Sequence, residues 1–396
     1  MRRVREAVLP FSWNNDDLPK TVREYREKYK GVSRILDDHP EILELVHEDL
    51  KRLSSGGRQG READFSSETI LRALVVHAIE GLSLRETVVR IAESDFLQDF
   101  LRTRKKAVMD FTFLDKCFHA VRPATWKRVN AALARAAVKS GAIDASTIRA
   151  DTTAIETNIH WPTDASLLWD TWRVAWIVGA ARWFCDWAPL GNILELTAIA
   201  DELRRFLPAM KRVVEQARRA QLQGEKVPAA ERVFSIFEPH TELLMRGRQQ
   251  KPVEFGHMAL LCQSPEKFIT DYEAYRQRRA DCQLTEEVIE RHEELFGETP
   301  QVLAADMGFC PDEEKYEELQ GRVGTLAIPR RLRDLADAVL SMWRSFRAGI
   351  EGTISGLKRA FRLARCYYRG FKRFAAALGL GVFCHNLVVL AKQTMT

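Results

Sequence analysis

The sequence predicts a mixed α/β protein, in which a helical N-terminal part precedes a sheet that is itself interrupted by helices. Three observations support this prediction. Apolar residues recur at helical spacing before residue 141, runs of strand length begin at residue 147, and a long helical stretch separates the first such run from the later ones. With 396 residues, 46% of them hydrophobic, the chain is long enough for two or three folded units.

The N-terminal part is predicted to be helical over residues 17–54, which end in a glycine-rich run at 54–60 that we interpret as a linker. A second helical block begins after Ser66 and is interrupted by Gly81. The segment that follows, from Ser83 to Glu86, has the S-x-x-E spacing of a capping box, which marks a new helix start. A helix, a glycine turn and a capped helix are compatible with a helix-turn-helix, although the same pattern is common in helical bundles.

Two further features complete this N-terminal part. Residues 122–140 predict an amphipathic helix. A basic cluster between the helices is compatible with contact to DNA phosphate or with a solvated loop; it consists of Arg102, Arg104, Lys105 and Lys106.

The remainder of the chain carries the strand signals. Six runs are rich in β-branched or apolar residues and predict strands at 147–155, 234–237, 253–261, 267–272, 301–306 and 325–328. Charged helices are predicted at 285–296 and 332–362, and the apolar segment 378–390 is assigned to the core. These elements predict a mixed sheet flanked by helices.

A tryptophan-rich segment lies in the helical stretch after the first predicted strand. Six of the nine tryptophans fall between residues 161 and 187, and five of these share one helical face: Trp169, Trp172, Trp176, Trp183 and Trp187. We interpret this stripe as buried packing. Stacking of one ring of this stripe on an unpaired base is the functional alternative.

Charge and cysteine content narrow the class of protein. The net charge is +5, and residues 321–373 alone contain thirteen Lys or Arg and three acids, as expected of a surface that contacts phosphate. The seven scattered cysteines form no CxxC pair, which favours a reduced cytoplasmic protein over a zinc or disulfide protein. No signal peptide is indicated, and the apolar stretch 174–184 is shorter than a bilayer span, so we expect no membrane segment.

Three acids are candidates for chemistry. Asp151 lies in the first predicted strand, Asp306 ends a buried one, and Glu351 is the only acid among nine basic residues between positions 338 and 373. Each also has a structural interpretation, as a local cap, an Asx-turn or an ion pair with a neighbouring arginine. Paired magnesium ions stabilise the attacking and leaving oxygens of a phosphodiester, and they prefer carboxylate ligands. A basic helix around the third acid would hold the DNA backbone there.

The motifs that contain these acids resemble one enzyme family. The segments 148–153, 305–309 and 347–358 resemble bacterial insertion-sequence transposases of the DDE class, in which the helix bearing the glutamate carries a tyrosine, arginine, glutamate and lysine signature. Arg347, Glu351 and Lys358 occupy the last three places of this signature, whereas Arg344 stands at the tyrosine place. The segments 65–100, 160–168 and 254–257 also resemble this family, so the resemblance covers roughly residues 65–375.

The resemblance implies a fold and a division into domains. It implies a ribonuclease-H-like catalytic domain over residues 142–396 with a helical insertion at about 163–230. This domain would follow an N-terminal arm and linker, 1–60, and a helix-turn-helix-like DNA-binding domain, 61–141.

The resemblance also implies the reaction and its partners. Asp151, Asp306 and Glu351 would be catalytic and would bind two Mg²⁺ ions, with Mn²⁺ as an alternative, for cleavage at the transposon end and strand transfer by the freed 3′-hydroxyl. The partners would be the terminal inverted repeats, target DNA and further copies of the chain, in the bacterial cytoplasm at the nucleoid. The candidate DNA contacts are Arg344, Arg347, Lys358, Arg359, Arg362 and the basic cluster. Some DDE transposases hold a flipped base with an aromatic side chain of an inserted region, and Trp161 or a member of the tryptophan stripe would do so here.

Two other functions remain open from the sequence. A ribonuclease-H-like nuclease would use the same acids without strand transfer, and a catalytically silent, domesticated protein would keep only DNA binding. Retention of all three acids argues against the silent protein.

Overall fold

The computed structural model describes most of the chain. The described residues are 2–5, 11, 13, 15, 17–54, 64–103, 109–187, 201, 204–245, 252–329 and 337–393. Residues 55–60 of the linker predicted at 54–60 lie outside these ranges, as do Arg104, Lys105 and Lys106 of the basic cluster.

The first part of the described chain is helical. Its helices are α1 (Lys20–Asp38), α2 (Pro40–Leu50), α3 (Ser67–Ile79), α4 (Leu84–Ala92), α5 (Asp95–Leu101), α6 (Phe111–Ala120) and α7 (Pro123–Lys139). The predicted helix at 17–54 is divided because Pro40, which cannot continue a helix, begins α2. The predicted capping box is confirmed: the Ser83 side chain accepts from the Glu86 amide, and the Glu86 side chain accepts from the Ser83 amide.

The second part combines strands and helices. The strands are β1 (Thr147–Thr157), β2 (Glu242–Met245), β3 (Val253–Gln263), β4 (Ile269–Ala274), β5 (Val302–Ala304), β6 (Thr325–Ala327) and β7 (Arg365–Cys366). The helices are α8 (Asp164–Trp187), α9 (Leu207–Ala217), α10 (Leu284–Phe296), α11 (Glu313–Arg322), α12 (Asp337–Ala360) and α13 (Phe371–Gln393). The strand predicted at 234–237 is wrong, because these residues form bends and the neighbouring strand is β2 instead.

The seven strands form one mixed sheet. Its order is β2-β3-β1-β5-β6, with β4 paired to β3 and β7 paired to β1. β3 runs antiparallel to β1 and to β4, whereas β5 runs parallel to β1 and to β6. The long central strand β1 therefore carries an antiparallel half of the sheet on one side and a parallel half on the other, an arrangement compatible with a ribonuclease-H-like fold.

The helices of the first part share their apolar core with the end of the chain. Buried residues of α1, α3 and α7 pack with those of α13, such as Leu378, Phe383 and Leu387, which confirms the assignment of residues 378–390 to the core. Helix α13 is long and apolar enough to cross a membrane, but 72% of its most apolar stretch is buried inside the molecule. This burial is typical of a core helix in a globular protein.

The helical insertion has a small core of its own, formed by Leu167 and Val174 of α8 with Met210 and Val213 of α9. The expectation that the tryptophan stripe is buried is wrong for the described side chains. Trp169, Trp172 and Trp176 are 58%, 55% and 64% exposed, because α8 turns its leucine and valine face toward α9. The side chains of Trp183 and Trp187 lie outside the described part.

Candidate functional site

The pairing of two parallel strands places the first two candidate acids, Asp151 and Asp306, next to each other. Arg149 of β1 is paired with Ala304 of the parallel neighbour β5. Asp151 and Asp306 each follow two residues later. Adjacent strands are roughly 4.8 Å apart, so the two carboxylates stand side by side at the point where β5 ends.

Helix α12 supplies the third acid. It packs across β1 and β5, and its Arg347, Glu351 and Lys358 fall on one face because they are separated by four and seven residues. These three side chains and the two aspartates line the same cavity, of about 580 Å³. The structure therefore brings together Asp151, Asp306 and Glu351, which are distant in the sequence.

The charges in this cavity act on one another. Burial, the nearby charge of Asp306 and, more weakly, that of Glu351 raise the pKa of Asp151 to about 6, against the opposing effects of the Thr152 amide and Arg347. The Thr152 amide donates to Asp151 Oδ1 at 2.7 Å. Asp151 is thus a carboxylate whose charged form is disfavoured first by burial and then by the negative charge of Asp306.

The other two acids make the local contacts that a structural interpretation predicts, in addition to lining the cavity. Asp306 Oδ1 accepts from the Gly308 amide at 2.8 Å, which is an Asx-turn. Glu351 Oε1 accepts from Arg347 Nη2 at 2.7 Å, as an ion pair one helical turn apart on a side chain that is 60% exposed. Neither contact removes the carboxylate from the cavity.

A fourth carboxylate, Asp281, also lines the cavity. Its Oδ1 accepts from Thr152 Oγ1 at 3.1 Å, next to Asp151 in the chain. Asp281 Oδ2 and Asp306 Oδ1 both lie within 3.3 Å of the position that a Cβ on Gly308 would occupy. Sequence reasoning missed Asp281 because it stands in a short 3₁₀ turn before α10, inside a charged segment that reads as an ordinary helix start.

The cavity suits a divalent cation in its chemistry. Carboxylate oxygens are ligands that Mg²⁺ and Mn²⁺ prefer, and a cation would relieve the repulsion that raises the pKa of Asp151. In the described part of the chain, no three His, Cys, Asp or Glu side chains are close enough together to form a metal site as they stand. Glu351 would have to turn from Arg347 to join the aspartates.

The predicted DNA contacts fall into two groups. Arg347, Lys358 and Arg359 line the cavity, and Arg344 is exposed one turn earlier on α12. Arg362 lies outside this cavity, where it faces Glu86 of α4 at 3.8 Å and covers the ring of Tyr367. It joins the end of α12 to the helices of the first part.

The prediction that Arg102 contacts DNA disagrees with the structure. Its guanidinium is 10% exposed, donates to both carboxylate oxygens of Asp37 at 2.7 Å and is also bonded to Glu68. These bonds place it in an ion network with Arg72 that ties α1, α3 and α5 together. The positive charge of Arg102 is therefore compensated by carboxylates of the same chain.

The aromatic residues near the tyrosine place of the signature have a packing role. Trp343 and Phe346 pack against Ala304 and Ala327 of the parallel strands, which seats the first half of α12 on the sheet. Trp161 is 64% exposed and contacts Phe255 edge to face, with a centroid separation of 5.1 Å.

Part of the chain is similar to a known protein family. Residues 247–387 match the family model of the transposase DDE domain, a segment that contains Asp306, Glu351 and Lys358 and begins after Asp151. Among curated proteins and among solved structures, no match to the chain was found. A DDE domain indicates an enzyme that processes nucleic acid, with DNA as its partner. Residues 247–387 are similar to the transposase DDE domain, and the resemblance of the chain to the DDE-class transposases is thereby confirmed.

Proposed function

We propose that this protein is the DDE transposase of an insertion sequence, which binds the ends of its element and catalyses DNA cleavage and strand transfer. One observation carries the proposal: Asp151, Asp306 and Glu351 line a single cavity together with Arg347 and Lys358. Acids alone would repel a phosphodiester, and bases alone would only bind it. The combination is what phosphoryl transfer on DNA requires.

In this proposal Asp151, Asp306 and Glu351 hold two Mg²⁺ ions, with Mn²⁺ as an alternative, and Asp281 adds a fourth negative charge beside them. When bound, such ions lower the pKa of a water or hydroxyl nucleophile and stabilise the charge on the leaving oxygen. Asp151 is largely ionised at neutral pH, because its pKa of about 6 lies below 7. It is therefore ready to accept a cation under physiological conditions.

The basic side chains orient the substrate. Arg347, Lys358 and Arg359 would contact phosphates on either side of the cleaved bond. Arg344 on α12 and Arg362, which follows the end of α12, would contact phosphates farther from the bond. Arg347 also neutralises Glu351 until the glutamate turns to the aspartates. The DNA partners are the terminal inverted repeats and a target duplex, and we expect the chain to act as a homo-oligomer on DNA in the bacterial cytoplasm.

We further propose that the catalytic unit, residues 142–396, has the ribonuclease-H-like fold, and that residues 61–141 bind DNA through the helix-turn-helix-like pair α3 and α4. The mixed sheet with β1 at its centre supports the first part. The exposed side chains of Arg85, Val89 and Arg90 on α4 support the second.

Trp161 is proposed to stack on an unpaired base at the cleaved end, because its ring is exposed and supported on one edge by Phe255. The test is the fluorescence of 2-aminopurine placed at the DNA end. Binding of the wild type is expected to raise the signal by unstacking the base, and Trp161→Ala is expected to abolish that rise. No change with either protein would refute base stacking.

The proposed function is tested with linear DNA that carries the sequences flanking the gene, incubated with the purified full chain in Mg²⁺ or Mn²⁺. A transposase produces a nick at a defined end, then joined products, and neither forms in EDTA. Nicks without joined products would identify a nuclease. Binding without cleavage in either metal would identify a silent DNA-binding protein, and both outcomes contradict the proposal.

A further inference from the structure

We propose that Arg149 is a positioning residue of the active site, which holds α12 against the sheet so that Glu351 stands opposite Asp151. The inference rests on the proposed function, because it assigns Arg149 a part in that reaction. Arg149 and Asp151 are two residues apart on β1 and therefore share the face of the sheet on which α12 packs.

The contacts of Arg149 reach directly to α12. The side chain is buried, donates from Nη1 to the carbonyl oxygen of Phe346 at 2.6 Å and lies 4.8 Å from the centre of the Phe346 ring. Its Nε donates to Oε1 of Gln263 on β3 at 2.7 Å. One planar group on β1 is thus bonded both to β3 and to α12, which restricts how the helix lies on the sheet.

A second connection lies beyond Glu351. The buried amide of Gln263 donates from Nε2 to Thr353 Oγ1 at 2.6 Å. The helix is therefore attached to β1 and β3 at Phe346 and at Thr353, on either side of the exposed Glu351. We call Arg149, Gln263, Phe346 and Thr353 the α12 clamp.

Gly349 shows how closely the α12 clamp fits. A Cβ at this position would lie 2.2 Å from Nη1 of Arg149 and 2.8 Å from its Cζ, so any larger residue would displace the guanidinium. Helix α12 has two more glycines, Gly352 and Gly356, and a Cβ at either of them would meet no atom within 4 Å apart from the adjacent backbone of α12 itself. Of the three glycines of α12, only Gly349 allows a close approach of another side chain, because glycine has no Cβ.

Burial of the Arg149 guanidinium costs free energy, because it disfavours the charged form. The same effect lowers the pKa of Arg149. The acceptors named above are an amide oxygen and a backbone carbonyl, which orient the cation, and the charge of Glu266 offsets part of the effect of burial. A neutral apolar side chain would fill the space at lower cost but would not set the angle of α12. This arrangement is suited to precise placement of Glu351.

The test compares alanine at the three glycines of α12. Gly349→Ala is expected to lower the single-turnover rate of end cleavage about 100-fold, because a displacement of about 1 Å at a catalytic group has that effect. The affinity for end DNA is expected to stay within about twofold of wild type, as the basic side chains are unchanged. Gly352→Ala and Gly356→Ala are the matched controls, and both are expected to cleave at the wild-type rate.

A double-mutant cycle separates positioning from general damage. Arg149→Gln removes the guanidinium, so adding Gly349→Ala to it is expected to reduce cleavage no further, whereas independent effects would multiply. Arg149→Lys is expected to recover only part of the rate, because an ammonium group cannot form the same two bonds. Multiplying effects, or Gly349→Ala cleaving like the two controls, would overturn the inference.

Binding of Mn²⁺, measured by calorimetry on the full chain, gives a readout that does not depend on cleavage. Gly349→Ala is expected to weaken Mn²⁺ binding about tenfold, as loss of supporting residues around a metal site does. If the wild type binds Mn²⁺ but cuts no DNA, the proposed function fails while the positioning role is still decided by this affinity. Unchanged Mn²⁺ affinity in Gly349→Ala, or no Mn²⁺ binding by the wild type, would contradict the role of Arg149.

Discussion

Helices α12 and α13 follow each other in the chain and have nearly equal lengths, 24 and 23 residues, but they meet the rest of the molecule differently. Helix α13 is apolar on almost every side and runs through the core, with Phe383 and Leu387 fully enclosed. Helix α12 buries one narrow stripe, which includes Ile350 and Leu357, and turns its charged face to the cavity. Helix α13 therefore stabilises the fold, whereas α12 presents the residues of the proposed active site.

The largest expected effect on stability belongs to α13. Phe383→Ala removes a fully buried ring that packs beside Trp126, and we expect a loss of about 3–5 kcal/mol in the free energy of unfolding. Arg344→Ala on the exposed side of α12 is the control, with an expected change below about 0.5 kcal/mol. Urea denaturation measures both. Equal losses would mean that the two helices do not divide their roles in this way.

The next effect is the pH dependence of stability that arises from Asp151, which lines the cavity that α12 faces. Asp151 has a folded-state pKa of about 6, above its unfolded value, so the folded chain binds the proton more tightly and stability falls as pH rises from about 4 to above 6. Asp151→Asn removes the ionisable carboxyl group and therefore this pH-dependent loss of stability. The variant is expected to be more stable than wild type by up to about 3 kcal/mol at pH 8 and nearly equal to it at pH 4. Urea midpoints at the two pH values test this, and a difference independent of pH would contradict it.

The smallest expected effect is on DNA affinity, and it should differ between Lys358 on α12 and Lys392 on α13. Lys358→Ala on α12 is expected to weaken binding of end DNA by about 1.5 kcal/mol, through loss of one charged phosphate contact. It is also expected to reduce the slope of log affinity against log salt by roughly 0.9. Lys392→Ala, an exposed lysine at the end of α13, is the control and should leave the slope unchanged. Equal slopes for both variants would remove Lys358 from the DNA surface.

Much of the fold could be predicted because periodicity reports burial directly. The core role of residues 378–390, the capping box at Ser83 and the central strand around Asp151 follow from local patterns. The tryptophan stripe on α8 was misjudged because spacing shows that side chains share a face, but not which face meets a neighbour. Here α9 covers the Leu167 and Val174 side instead.

The candidate site was only partly predictable for a similar reason. The motifs identified Asp151, Asp306 and Glu351. Asp281 also lines the cavity, but it lies in a turn that contains no recognisable motif, so only the folded structure shows its position. Arg102 was assigned to DNA on the basis of its basic neighbours, whereas its ion pairs with Asp37 and Glu68 are long-range contacts. The bond from Arg149 to α12 joins residues almost two hundred positions apart, which no local pattern encodes.

We expect the carboxylates that line the cavity to be required for DNA cleavage. The most direct measurement is the single-turnover rate of nicking at a labelled element end in Mg²⁺, for wild type, Glu351→Gln and Glu290→Gln, with binding of the same DNA measured in parallel. Glu290 is an exposed acid on α10 and serves as the control. The expected result is a loss of about 10³-fold or more for Glu351→Gln, with end binding retained and with Glu290→Gln at the wild-type rate. Cleavage by Glu351→Gln at the wild-type rate would contradict this expectation.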